Sequence, residues 1–265
     1  MAQQQNPAQT YEDFLVPLQF RIFAEDLVAR AAPQPGERVL DLACATGIVA
    51  RLIAPRVAPG GGVTGLDVSP AMLGVARERA AAEGVDATWD QGDAAALPYA
   101  DGTFDLVVCQ QGLQYFPDKP AALRELRRVL APGGRALLSV WSMQPPFFDA
   151  YNRVTVAHLD VPAGSIPFSL TDAGAVRALL EGAGFATVAF AEAERTIRQP
   201  SLGDFVRRGT QARAAVVPAL AALPPGEIEA KADGIAAELA PLVRDYLDGG
   251  ALAYPMRTNV ALVRR

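Results

Sequence analysis

The chain has one histidine, His158, and two cysteines, Cys44 and Cys109, in 265 residues. Both cysteines sit in apolar runs, and their spacing matches neither a zinc site nor a disulfide framework. No metal is therefore expected. Lysine is nearly absent as well: Lys119 and Lys231 are the only two, arginine carries the remaining positive charge, and the net charge is -5. Without a basic run, the sequence has no electrostatic footprint for nucleic acid or for anionic lipid. No apolar stretch approaches the length of a bilayer span, and the first residues, Met1 to Pro7, lack the charged start and apolar core of a signal peptide. The cytoplasm is the default location. With 51% hydrophobic and 20% charged residues, the composition is that of a soluble globular protein with a large core.

What the chain does contain is a repeating pattern of short apolar runs that end in acids. Val39-Leu40-Asp41-Leu42 collapses into Ala43-Cys44-Ala45-Thr46-Gly47, which reads as a buried strand turning tightly into a helix from about Ile48 to Val57. A second run, Val63 to Asp67, is followed by Ser69-Pro70, an N-cap with proline in the first turn of a helix that continues to Glu83. A third, Ala87 to Gln91, closes on Gly92-Asp93-Ala94. Asp41, Asp67 and Asp93 are each 26 residues apart, one strand-helix unit per step, so the spacing predicts three carboxylates at one edge of a parallel sheet. An acid after the second strand is where a ribose is held, because a carboxylate can accept from both hydroxyls. The choice of nucleotide follows from spacing. The loop lacks the Gly-x-x-x-x-Gly-Lys-Ser/Thr of a P-loop and the Gly-x-Gly-x-x-Gly of a dinucleotide fold.

The loop after the first strand resembles motif I of class I S-adenosylmethionine-dependent methyltransferases, Asp/Glu-x-Gly-x-Gly-x-Gly, with Ala43 and Ala45 where glycines are usual. The run Leu97-Pro98, Phe104-Asp105, Leu106 to Cys109, Gln110-Gln111-Gly112-Leu113-Gln114-Tyr115-Phe116-Pro117, then an amphipathic helix over Pro120–Leu130 stopped at Pro132-Gly133-Gly134, is similar to the methyltransferase-11 family. Within that family it resembles the ubiquinone and menaquinone C-methyltransferase type. The resemblance covers Tyr11 to Trp141 and is weaker beyond. It implies S-adenosylmethionine as cofactor and a Rossmann-like α/β fold: a seven-stranded, mostly parallel sheet with helices on both faces and a helical cap before the last strand. It also implies that Asp41, Ala43, Ala45 and Gly47 form the cofactor loop, that Asp67 with Val68 holds the ribose, and that Gly92, Asp93 and Ala94 meet the adenine amino group. Met72 would cover the adenine face, Gln110 would meet the methionine part, and Tyr11 would close over the cofactor.

The expected reaction is in-line methyl transfer to a small organic acceptor: a phenol, quinol, enolisable carbon or amine. The acceptor side is assigned to Gln114, Tyr115, Trp141 and His158, with His158 or Tyr115 as a general base. Some acceptors are disfavoured. The Asp/Asn-Pro-Pro-Tyr motif used on nucleobase and glutamine amines is absent, and two cysteines are too few for arsenic methylation. A single domain from 10 to 265 is expected after a leader over 1–9, with Ser142–Leu170 as a loop-like lid and 200–250 as the helical cap. A homodimer face is the other reading of those last helices. The competing functional reading is a protein of this fold that binds S-adenosylmethionine without transferring its methyl group.

Overall fold

The computed structural model describes residues 7–159, 166–186, 188–214 and 223–265. The chain divides into two compact units, each treated by itself. The larger comprises residues 20–143, 166–193 and 257–265. It is built on strands β1 (Arg38–Leu42), β2 (Gly62–Asp67), β3 (Thr88–Gln91), β4 (Phe104–Gln110) and β5 (Leu130–Trp141). β1 is buried on both faces at Val39, Leu40, Asp41 and Leu42, the signature of a central parallel strand covered by helices.

Helices α2 (Arg21–Ala31), α3 (Ile48–Val57), α4 (Pro70–Glu83), α5 (Lys119–Val129) and α7 (Ala173–Gly182) belong to this unit. Their ends follow the sequence. Ser69 Oγ accepts from Met72 N at the start of α4 with Pro70 behind it, and Asp118 caps α5 by accepting from Ala121 N. The apolar stripe of α5 (Leu123, Leu126, Val129) and that of α7 (Val176, Leu180) pack on Leu40, Val107 and Leu138 in one core. Burying each such side chain stabilises the fold by roughly 1.5–3 kcal/mol.

The sheet order is β3-β2-β1-β4-β5-β8-β6, with β6 at Val188–Gln199 and β8 at Ala251–Arg264. β1 to β5 are parallel neighbours, and β8 runs antiparallel to β5. The sheet has eight strands where seven are expected. The additional one, β7 (Leu247–Asp248), is a two-residue strand paired to β8 across Gly249-Gly250, too short to leave a periodic signal.

The smaller unit comprises residues 1–19, 144–165 and 194–256. It opens with α1 (Pro7–Thr10) and a π-helical stretch, Tyr11–Phe20, in which Pro17 removes a backbone donor. It continues with α6 (Phe147–Leu159), α8 (Leu202–Ala214) and α9 (Pro225–Leu239). The boundary between units falls inside β6 and β8. Its interior is aromatic: Phe147, Phe148, Tyr151, Phe205 and Tyr254 pack ring on ring, with Phe147 and Tyr254 centroids 4.6 Å apart.

Several local expectations change. The Ser142–Leu170 stretch, read as loop, contains α6; Pro145-Pro146 initiates it, and Phe147, Tyr151, Val154 and Leu159 form its buried face. Residues 160–165 of that stretch, 1–6 of the leader and 215–222 of the cap lie outside the described residues. α9 stops at Leu239, and a 3-10 turn, Ala240–Leu242, follows with Pro241 inside it. Ser201 caps α8, its Oγ accepting from Asp204 N at 2.9 Å.

Candidate active site

Strand order reverses at β1 and β4, since β2 and β3 lie to one side and β5 to the other. Ligands of open α/β sheets bind in the crevice beyond the carboxyl ends of such strands. Asp67 ends β2 there. Its Oδ2 accepts from Ala45 N and its Oδ1 from Ser69 N, both at 2.9 Å. Each oxygen so keeps one further lone pair, which is what two ribose hydroxyls require. Val68, next in sequence, is 69% exposed, an open apolar surface beside that carboxylate.

The loop after β1 takes up a backbone that normally calls for glycine. Ala43 and Ala45 have φ of 59° and 48°, and Gly47 has 80°. An alanine in this left-handed region costs about 1–2 kcal/mol, so the fold sustains strain where motif I carries glycine. Besides the bond from Ala45 N to Asp67, three contacts hold the loop in place: Cys44 N donates to Leu66 O at 3.0 Å, Gly47 N to Cys44 O at 2.8 Å, and Arg51 Nη1 to Thr46 O at 2.8 Å. Arg51 is buried, and its Nε lies 3.3 Å from Glu83 of α4. Gly47 has a second constraint: a Cβ there would come within 2.3 Å of the Trp89 ring. The ring also covers Gly65, where a Cβ would approach to 2.6 Å.

The equal sequence spacing of the three acids does not become equal height in the sheet. Asp41 pairs with Gly65, whereas Asp67 pairs with Gln91. Asp41 therefore lies two residues deeper, 1% exposed, and its Oδ2 accepts from Ala50 N in the first turn of α3 at 2.9 Å. Burial pushes its pKa up to about 7, against the lowering effect of the Ala50 bond. Asp41 thus fastens the first turn of α3 to β1. Asp93 follows β3 in an exposed turn, with Oδ1 accepting from Ala95 N at 2.9 Å; Ala94 is buried beside it, and Gly92 N donates to Asp67 O. Met72 is half-buried in the first turn of α4.

At the end of β4, Gln110 Nε2 donates to Phe20 O at 2.9 Å, which ties that edge to the start of α2. Gln114 is buried in a 3-10 turn, Leu113–Tyr115, and Tyr115 is 53% exposed. The hydroxyl of Tyr115 is held above the ordinary phenol range by desolvation, so it stays protonated at neutral pH. Trp141 ends β5 but is 3% exposed, edge-on to Phe23 with centroids 5.1 Å apart. Tyr11 and His158 belong to the smaller unit. There His158 Nε2 lies 2.8 Å from Glu238 Oε2, linking α6 to α9, and its backbone oxygen accepts from Lys231.

Sequence reasoning missed Arg51, Gln111 and Glu238. Nothing marks Arg51 as buried, because arginine on a helix normally faces water. The left-handed φ of 52° at Gln111 has no signal in its residue type.

A parallel sheet in this order with an antiparallel last strand is a Rossmann-like α/β fold, and here an acid closes β2 beside a glycine-like loop. Residues 39–134 match the family described as a methyltransferase domain. The chain is 44% identical over 137 residues to the demethylmenaquinone methyltransferase of Thermus thermophilus, covering 52% of this chain and 60% of the relative. It is 39% identical over 150 residues to the 2-phytyl-1,4-naphtoquinone methyltransferase of Synechococcus elongatus, covering 55% and 64%. It thus spans less than two thirds of each of these relatives. The YcgJ protein of Bacillus subtilis shares the fold at a TM-score of 0.59 and 19% identity, over 91% of this chain and 97% of that one.

The donor set fits S-adenosylmethionine: a carboxylate with a lone pair free on each oxygen for the ribose, an exposed apolar residue beside it, and a second acid after β3 for an amino group. Among the described residues no helix is long and apolar enough to cross a membrane.

Proposed function

We propose that this chain catalyses methyl transfer from S-adenosylmethionine to a small organic acceptor. The observation that carries the reading is the Asp67 carboxylate, tied to the loop after β1 and still able to accept from two hydroxyls. When bound, the cofactor supplies a sulfonium methyl group that is already activated for displacement. The protein's task is then alignment and exclusion of water, and such positioning is worth roughly 7–11 kcal/mol. In this reading Asp67 and Val68 hold the ribose, the Ala43–Gly47 loop brings its backbone to the methionine part, and Gly92, Asp93 and Ala94 receive the adenine. Gln110, fixed by its bond to Phe20 O, keeps the end of β4 against that loop.

The acceptor is an aromatic or enolisable ring compound of quinol type, a proposal supported by the likeness to quinone-related methyltransferases over about half of the chain. Where the acceptor must lose a proton, the base is His158 or Tyr115, the two titratable side chains assigned to the acceptor side. Residues 142–170 and 200–250 serve as lid and cap. A homodimer, a cytoplasmic location and the absence of a nucleic-acid partner complete the proposal, the last supported by the net charge of -5.

Calorimetric titration with S-adenosylmethionine, S-adenosylhomocysteine and NAD tests the cofactor, and a labelled-methyl assay over phenols, quinols and amines tests transfer. Binding of the first two and labelling of one acceptor class are expected. Binding of NAD alone would overturn the reading. Tight cofactor binding with no labelled product would instead favour a binding protein of this fold.

A further inference from the structure

Gln111 and Gln114 follow β4 where the strand order reverses. They are 6% and 3% exposed. Gln114 Nε2 donates to Gln111 Oε1 at 3.4 Å, a long bond that uses one donor and one acceptor and sets the two carboxamides side by side. Two atoms remain buried without a protein partner: Gln111 Nε2, a donor, and Gln114 Oε1, an acceptor. Leaving such atoms unpaired is costly, and native interiors rarely do so.

The backbone adds a second sign. Gln111 is held at φ 52°, a strained conformation for a residue with a side chain. The bond from its N–H to Ser139 O at 2.9 Å keeps it there. The turn also presses on the loop after β1, since a Cβ on Gly112 would lie 2.8 Å from Ala43 Cβ. Strain and orphaned polar atoms thus coincide against the cofactor loop.

We propose that Gln111 and Gln114 together bind one hydroxyl group of the methyl acceptor: its oxygen accepts from Gln111 Nε2, and its proton is donated to Gln114 Oε1. The inference rests on the methyl-transfer reading and narrows it. A neutral hydroxyl can accept and donate at once. An ether cannot donate, an ammonium cannot accept, and a thioether cannot donate, so each leaves a buried carboxamide atom unpaired. Rejection of an analogue that lacks a required hydroxyl is large for this reason. The acceptor accordingly carries a free hydroxyl, as a phenol or enol does, and the pair determines specificity.

The test uses the full chain saturated with S-adenosylhomocysteine, titrated with phenol and 1,4-dihydroxynaphthalene and with the methyl ether of each. The hydroxyl compounds are expected to bind at least about 10-fold more tightly than their ethers. Gln114→Met should abolish that preference while Gln114→Glu, which keeps the acceptor oxygen, should retain it. Gln111→Met supplies a second arm should the first variant misfold. Equal affinity for hydroxyl and ether in the wild-type protein, a preference that survives both methionine variants, or binding of none of the four probes would overturn the inference. Failure of S-adenosylhomocysteine itself to bind would instead overturn the cofactor reading, so the two failures are distinguishable.

Discussion

The backbone N–H of Ala45 donates to Asp67 Oδ2 over 2.9 Å, so the loop after β1 is fastened to the acid that closes β2. One side chain therefore both shapes the loop and faces the ligand, and removing it should affect two properties together. Asp67→Ala is expected to weaken S-adenosylmethionine binding by at least about 100-fold, since bonds to a charged group contribute roughly 1.5–3 kcal/mol each. Calorimetry decides it; wild-type affinity in the variant would sink the ribose assignment.

Asp41 gives a prediction in pH. The group titrates near 3.8 when exposed and at about 7 in the fold. Between those values the folded state keeps a proton that the unfolded chain has released, so this group's contribution to stability falls as pH rises through the window. Above about pH 7 the full cost of a buried carboxylate is present. Asp41→Asn keeps an oxygen to accept from Ala50 N and removes the titration. Urea midpoints measured between pH 5 and 8 should slope less in the variant, and an unchanged slope would show that Asp41 is ionised throughout.

The left-handed alanines allow a comparison of two effects. Replacing Ala45 by glycine relieves about 1–2 kcal/mol of strain but costs roughly 0.4–1 kcal/mol through the freer unfolded chain. Strain wins narrowly. Ala45→Gly is expected to be neutral to slightly stabilising in thermal unfolding, and Ala45→Val, β-branched at φ 48°, to lower both stability and cofactor affinity. Tolerance of valine would mean that the loop relaxes to another conformation.

Gly65 tests packing alone, because the backbone there is ordinary and a side chain would meet the Trp89 ring at 2.6 Å and Cys44 Sγ at 3.0 Å. Gly65→Ala should destabilise by about 1–3 kcal/mol, the usual cost of overpacking. Trp89→Leu in the same chain should recover part of that loss, making the pair non-additive. Strict additivity in the double-mutant cycle would rule the contact out.

The contrast between Asp67 and Asp41 shows how far the sequence could be read. Apolar runs closed by acids identify the strands and their common direction, because a parallel strand must be apolar throughout and its ligand-facing end polar. Height within the sheet depends on register, which pairing determines, so Asp41 looked equivalent to Asp67 and is instead buried against the first turn of α3. The helix over Phe147–Leu159 was hidden for a similar reason: Pro145-Pro146 reads locally as loop, while the aromatic partners that stabilise α6 come from residues 205 and 254. Trp141 followed the rule that strand ends face ligands, yet the Phe23 ring from α2 covers it. Tertiary contacts of this kind leave no periodicity to detect.

Trp89, which rests on Gly47 and Gly65, is one of only two tryptophans in the chain. The other, Trp141, is enclosed between Phe20 and Phe23. The protein therefore carries its own optical probe at the base of the cofactor loop. In Trp141→Phe the remaining emission would report that loop alone, and its quenching or spectral shift on ligand addition would time the ordering of the Ala43–Gly47 backbone without any attached dye.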